Sequence, residues 1–267
     1  MANILIGYGN YIDSATLSSG TWASAYPQSN LKDRRLALVA RTTIASTAAA
    51  TIAVDLGSAK PVRAIGVINH NLGSAATIRV LAGATSGFAT PTYNSGTVPV
   101  WTAPTAGDLA QPRPTVTVGL PTTQTQRYWR VEITDNSNPA GFIQLGRLFI
   151  GNAFQPSINM QVGARMGFET DTMIEKSLSG AEYFNVRPTR RTLSFALPDL
   201  PHNEAFGPAA EISRISGIHG EVLVIPDSGD TANRSRRDFL GRLRALSPIE
   251  QPFDGAGTLA FEVSELL

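Results

Sequence analysis

Hydrophobic and polar positions alternate along much of this chain with a period of two, the signature of half-buried strands. In Thr51-Ile52-Ala53-Val54-Asp55-Leu56 the apolar residues Ile52, Val54 and Leu56 share one face. Arg127 to Thr134 is the strongest strand signal, with Trp129, Val131 and Ile133 opposed to Tyr128, Arg130 and Glu132. Between these runs, Gly57 to Pro61 reads as a turn and Val62 to Asn69 as an apolar, fully buried type of strand. Thr77 to Leu81 and Thr115 to Val118 are shorter strands, and Phe142 to Ile150 closes the first half. Residues 1–20 predict an edge strand and a loop, Trp22 to Asp33 is irregular, and Leu31 to Thr43 alternates around Leu36, Leu38 and Val39, which predicts a strand. Residues 83–114, dense in Gly, Pro, Thr and Ala, form either a long loop or a pair of short edge strands around Tyr93 and Trp101. A stretch of that composition in a compact domain predicts contact with a neighbouring subunit.

The texture changes at Gly151-Asn152-Ala153-Phe154-Gln155-Pro156, which sets the expected domains at 1–152 and 153–267. Beyond it, Ile158 to Thr170, Glu182 to Arg187 and Thr192 to Leu197 read as strands. One helix follows over 203–216: Phe206, Ala210, Ile212 and Ile215 keep near-helical spacing, and Gly217 ends it. Gly207-Pro208 disturbs its first turn. Gly220 to Asp227, Phe239 to Leu246 and Thr258 to Val263 complete a mainly β chain.

Composition supports that pattern. The 267 residues include 24 Gly and 17 Pro, and only 16% are charged, a balance that suits turn-rich β structure. The net charge of +1 argues against a nucleic-acid partner. Arg outnumbers Lys by 19 to 3, which suits paired and interfacial charges more than freely solvated ones. Cysteine is absent, which excludes disulfides and thiolate chemistry. No run approaches the roughly 18 apolar residues of a membrane span, and the start lacks the pattern of a signal peptide.

Catalytic constellations are not legible. His70, His202 and His219 are scattered, and neither metal-binding His spacing, a Gly-x-Ser-x-Gly elbow nor a phosphate loop occurs. The expectation is a non-enzyme with no cofactor. The sharpest polar cluster is Asn69-His70-Asn71, at the end of a buried strand and so at one rim of the fold. It reads either as a ligand rim, with Trp22 and Tyr26 (and Trp101) stacking on a sugar, or as side chains that satisfy turn amides while the aromatics pack. Two basic clusters, Arg187, Arg190 and Arg191, then Arg234, Arg236 and Arg237, lie beside carboxylates. They read as inter-subunit ion pairs or as solvated loops.

The order of several phrases resembles a known family. Trp22, Tyr26-Pro27, Ser29-Asn30-Leu31, Val54-Asp55-Leu56-Gly57, His70-Asn71-Leu72 and Gly146-Arg147-Leu148 occur as in the discoidin-like (galactose-binding-like) jelly-roll β-sandwich. More narrowly they resemble the version found in tail proteins of tailed bacteriophages. Residues 190–195, Glu204-Ala205, Val222 to Asp227 and Gly241-Arg242-Leu243 look like the companion segment of those proteins. The resemblance implies a sandwich followed by a smaller β-rich domain with one helix. It also implies a tail-tip or distal-tail structural protein in the virion, assembled in the host cytoplasm as a homo-oligomeric ring that joins tail-tube, hub or fibre proteins. The alternative it leaves is a module that binds a host-surface glycan. Sugar-binding relatives often hold a structural calcium through a loop Asp and a late-strand Glu. Asp33 matches the first position, whereas Gly146-Arg147-Leu148 stands where the Glu would fall.

Overall fold

A computed structural model describes residues 2–267. The strands are β1 (Leu5–Tyr8), β2 (Thr16–Ser18), β3 (Ala40–Arg41), β4 (Thr51–His70), β5 (Thr77–Gly83), β6 (Tyr93–Asn94), β7 (Val98–Pro99), β8 (Thr115–Thr134) and β9 (Gln144–Phe154). After these come β10 (Arg165–Thr170), β11 (Met173–Lys176), β12 (Glu182–Asn185) and β13 (Thr189–Pro201). The last four are β14 (Val222–Ile225), β15 (Phe239–Leu243), β16 (Glu250–Phe253) and β17 (Ala256–Glu265). The chain is mainly β, as expected, and divides into two compact units: 1–157 with 221–240, and 158–220 with 241–267. The expected boundary at 152/153 is therefore incomplete. Residues 221–240 return to the first unit because Val222–Ile225 pair antiparallel with Leu5–Tyr8.

The first unit is a sandwich whose two layers share β4 and β8. In one layer the second part of β4 pairs with Thr115–Gly119 of β8 and with β9, which continues to β1 and β14. In the other, Thr51–Asp55 pairs with Tyr128–Glu132, flanked by β2 and by β5 with β6 and β7. Asp55 shows how β4 passes between layers. Its carboxylate takes Arg127 at 2.7 and 2.8 Å and the Gly57 amide at 2.8 Å, while Gly57 adopts φ +78°, which favours glycine. The ladder shifts register there, between Asp55 and Lys60. Alternation fills the space between the layers: Ile52, Val54 and Leu56 pack with Ile65, Val67, Val80, Trp129, Val131, Leu145 and Leu148 in one core. Residues 83–114 carry β6, β7 and a short helix, Ala106–Leu109, closed by a Thr105–Asp108 capping box. Trp101 is buried in the core.

Two expectations fail here. β1 lies between β9 and β14, buried along its length, and is not an edge strand. Leu31 to Thr43 is not a continuous strand: Gln28–Lys32 forms a 3-10 turn, Ala40–Arg41 pairs with β9, and Thr42 makes an isolated bridge to Trp22. Leu31 and Leu36 are buried from irregular backbone that Asn30 pins through Nδ2 to the Val39 carbonyl at 2.9 Å.

The second unit is an antiparallel sheet in the order β10-β13-β17-β15, with β16 on β17. Leu193, Phe195 and Leu197 on β13 oppose Val263, Phe261 and Leu259 on β17, and the Phe195 and Phe261 rings stack 5.4 Å apart. The expected helix is present over His202–Ser216 but breaks at Gly207 (φ −91°, ψ −108°), beside Pro208. Its end at Gly217, φ +49°, is as expected. β11 and β12 form a separate hairpin that the sequence reading saw only in part.

Candidate functional site

Of the five residues expected at the ligand rim, Asn69 and His70 end β4 and the other three lie outside the named strands, and most of their polar atoms are spent on the fold. Asn69 sits at φ +58° and donates Nδ2 to the Leu36 carbonyl at 2.6 Å, packed against Gly146. A Cβ on Gly146 would lie 2.8 Å from Asn69 Cβ and 2.9 Å from the Leu36 carbonyl oxygen, so this position requires glycine. Asn71 donates Nδ2 to the Phe142 carbonyl at 3.0 Å and accepts the Gln144 amide at 2.7 Å. His70 is buried, with its ring edge-on to Trp101 at 5.6 Å, and burial pulls its pKa down to about 3. Its Nδ1 accepts the Leu72 amide at 3.3 Å, and Trp101 Nε1 donates to the Leu72 carbonyl at 3.1 Å. Trp22 is half-buried against the core and donates Nε1 to the Ser19 carbonyl. The turn-satisfying reading of these residues is the one the geometry takes.

Tyr26 is the exposed member. The Arg41 guanidinium lies 4.3 Å from the Tyr26 ring and 4.1 Å from the Phe142 ring, and donates to Gln144 Oε1 at 2.8 Å. This small aromatic and guanidinium cluster is what remains open at the rim.

The basic clusters find carboxylates within the chain. Arg190 pairs with Asp171 at 2.6 Å and Glu169 at 3.7 Å, and buried Arg191 with Glu265. Arg236 pairs with Asp108 at 2.6 Å, Arg237 with Asp230 at 2.8 Å, and Arg234 donates to the Pro99 carbonyl. Arg187 is exposed and forms no ion pair among the described residues. Five of the six arginines thus find partners within their own unit. Asp230 is a near sequence neighbour of Arg237, whereas Asp108 and Glu265 lie far along the chain from the arginines they pair with.

The implied calcium site does not fit. Asp33 is engaged by Arg35, which donates Nε at 3.0 Å, Nη2 at 2.8 Å and its backbone amide at 2.8 Å. Those hydrogen bonds hold the Asp33 carboxyl down at about 2. At the late-strand position stands Arg147, a fully buried guanidinium. It donates Nε to Glu221 Oε1 at 2.9 Å, and Nη2 to Glu221 Oε2 at 2.8 Å and to Asp13 Oδ1 at 2.5 Å. Burial opposes its charge, but the bonds to Glu221 and Asp13 outweigh burial and hold its pKa up. The acidic groups there are already neutralised by a built-in cation. Among the described residues no group of three or more His, Asp or Glu is placed to hold a metal.

The feature that sequence reasoning missed lies in the second unit. From Gln161 to Arg190 no residue is buried, yet nine large apolar side chains are exposed. They include Phe168 at 72% and Tyr183 at 63%, with Met173, Ile174 and Phe184 on the β11–β12 hairpin. Both faces of that hairpin are open. The signal was present in the apolar pairs Met173-Ile174 and Tyr183-Phe184 flanking a Ser-rich turn closed by Gly180 at φ +85°.

No protein-family model matches the chain, and no curated protein matches it. Solved structures do. A family 32 module (CBM32-1) from a family 31 glycoside hydrolase of Clostridium perfringens is 11% identical, over 54% of this chain and 99% of that one, with a TM-score of 0.41. The family 32 module of C. perfringens NanJ, in complex with galactose, is 16% identical over 54% and 98%, at 0.39. A chitosan-binding module of a chitosanase/glucanase from Paenibacillus sp. IK-5 is 16% identical over 54% and 99%, at 0.40. These are discoidin-like β-sandwich modules, the class expected for the N-terminal half. The sugars named belong to those modules.

Proposed function

We propose that this chain is a non-catalytic assembly protein, a structural component of a phage tail tip that works by self-association and by docking tube, hub or fibre proteins. The observation that carries the reading is the segment 161–190, in which nine large apolar side chains are exposed. A two-stranded hairpin is marginal alone in water, and apolar exposure concentrated along one segment in this way suits a protein interface. The sandwich, by contrast, spends its rim amides and most of its arginines internally, as a scaffold does. Limited proteolysis of the free protein and of its mixture with tail-tube and hub proteins tests the proposal. Cleavage within 171–188 should be suppressed in the mixture; equal cleavage in both would refute it.

A second reading is a glycan-binding module. It is favoured by the exposed Tyr26 ring beside Arg41, Phe142 and Gln144, since an aromatic face flanked by fixed donors suits a sugar. It is also the reading with which the sugars bound by the similar modules agree. Saturable binding on a glycan array that is lost in both Tyr26→Ala and Arg41→Ala would establish it; a blank array would remove it.

A further inference from the structure

Strand β10 is hydrogen-bonded to β13 on one side only. Its other edge presents main-chain groups that can template another strand, and it carries neither Pro nor Lys. Three features of its sequence, Arg165-Met166-Gly167-Phe168-Glu169, bear on what that edge accepts.

The first is charge. Arg165 is exposed and has no ion pair among the described residues. Arg190 on this face pairs with Glu169 and Asp171, and Arg244 with Glu169 at 2.7 Å and Glu262 at 3.0 Å, whereas Arg242, like Arg165, has no carboxylate partner among the described residues. The second is apolar overhang. Met166 lies opposite Leu193 on the face where β13 buries Leu193 and Phe195, yet Met166 and Phe168 are exposed. The third is Gly167, in the middle of the strand. Glycine weakens a strand interior and is tolerated where another backbone comes close. A Cβ here would meet only Thr192 Oγ1, at 3.6 Å, so its own unit does not require the glycine.

These features share one solution. If a second β10 is laid antiparallel with Gly167 facing Gly167, Arg165 falls opposite Glu169 and Met166 opposite Phe168, and two-fold symmetry makes each contact twice. We propose that β10 pairs with β10 of a second copy of this chain, giving a two-fold dimer. Main-chain bonds and the four apolar side chains supply adhesion, and the Arg165–Glu169 pairs fix the register. The contact is isologous and closes on itself, so any ring is built through other surfaces. The proposal names a partner for the assembly role above and rests on that reading.

Sedimentation equilibrium of the full chain tests it. The parent should dimerise, and Arg165→Glu and Glu169→Arg, each placing like charges opposite one another, should each weaken the dimer about tenfold or more. An equimolar mixture of the two variants should dimerise as the parent does, because each supplies the charge the other lacks; neither a folding defect nor an indirect effect predicts that rescue. Arg165→Glu breaks no ion pair within the chain, so its melting temperature should match the parent's. Since the chain has no cysteine, Gly167→Cys should also give a disulfide-linked dimer on mild oxidation. A monomeric parent, a dimer indifferent to both charge changes, or a loss that mixing does not restore would overturn the pairing. If the parent is monomeric while 171–188 is still protected by tail proteins, the assembly role stands and this pairing alone fails.

Discussion

Replacing Arg147 by Met removes a guanidinium that is fully buried while leaving a side chain of similar length. The cost falls on Glu221. Its side chain is 4% exposed, and after the substitution its carboxylate keeps only Asn10 Nδ2, at 3.0 Å, having lost three donor contacts at 2.8 to 3.2 Å. Breaking a buried pair from one side costs about 3–5 kcal/mol, because a charge is left in the interior without its partner. Asp13, partly exposed and also paired with Arg34 at 3.3 Å, loses much less. For a unit of this size, that loss lowers the melting temperature by about 6–20 °C. The assay is selective, since Trp22, Trp101 and Trp129 all lie in the same unit as Arg147 and Glu221, so tryptophan fluorescence during urea or thermal unfolding follows that unit alone. Arg147→Lys, which keeps the charge but not the two-pronged geometry, should fall between parent and Met. Arg147→Met with Glu221→Met removes both charges and should recover at least about 2 kcal/mol relative to Arg147→Met alone. If the two losses simply add, the pair is not energetically coupled and the reasoning is wrong.

Four further outcomes follow from the same geometry. His70 is held neutral in the fold, with its pKa pulled by burial to about 3 against an ordinary 6.5, so the unfolded chain takes up the proton first. Stability should therefore fall as pH drops below about 6.5, by up to about 1.4 kcal/mol per unit, and His70→Gln should flatten that slope between pH 6.5 and 5 in urea titrations. Gly146→Ala should cost about 1–3 kcal/mol by the same titration, because its methyl group meets Asn69 and the Leu36 carbonyl below 3.0 Å. Calcium and EDTA should leave the melting temperature unchanged by calorimetry, since Arg147 and Arg35 already neutralise the acidic groups; a rise with calcium would restore the metal site. Ile174→Ser combined with Phe184→Ser should leave thermal stability within about 0.5 kcal/mol, both side chains being exposed, yet abolish co-assembly with tail proteins in pull-down.

What could be read in advance followed from locality. The runs at Ile52–Leu56 and Tyr128–Ile133 alternate because each strand has one face on the core, and they fold as expected. The Val54-Asp55-Leu56-Gly57 phrase is legible for the same reason: two apolar residues point inward, Asp55 reaches Arg127, and Gly57 turns the chain. Leu31 to Thr43 misleads because its apolar residues serve an irregular wrap held by scattered turn bonds and by the side chains of Asn30 and Asn69, which periodicity does not record. The rim amides misled differently. Their residue types suit both sugar hydroxyls and main-chain amides, and only the positions of Leu36, Phe142 and Gln144 decide between them. The partners of Arg147, Arg191 and Arg236 are 74, 74 and 128 residues away, beyond any local pattern.

The departure at Gly146-Arg147-Leu148 then acquires a structural meaning. A carboxylate at that strand position would add negative charge to Asp13 and Glu221, and the three would need an external cation to remain buried together. An arginine supplies the cation covalently and commits Glu221, the first residue of the segment 221–240, to the sandwich. The arginine that stands where the resemblance implied a carboxylate therefore ties the returning segment into the first unit. A sandwich held closed in this way offers few free polar groups at its rim, whereas 161–190 leaves its apolar residues uncovered. That contrast between satisfied and uncovered groups is the ground on which the assembly reading is proposed.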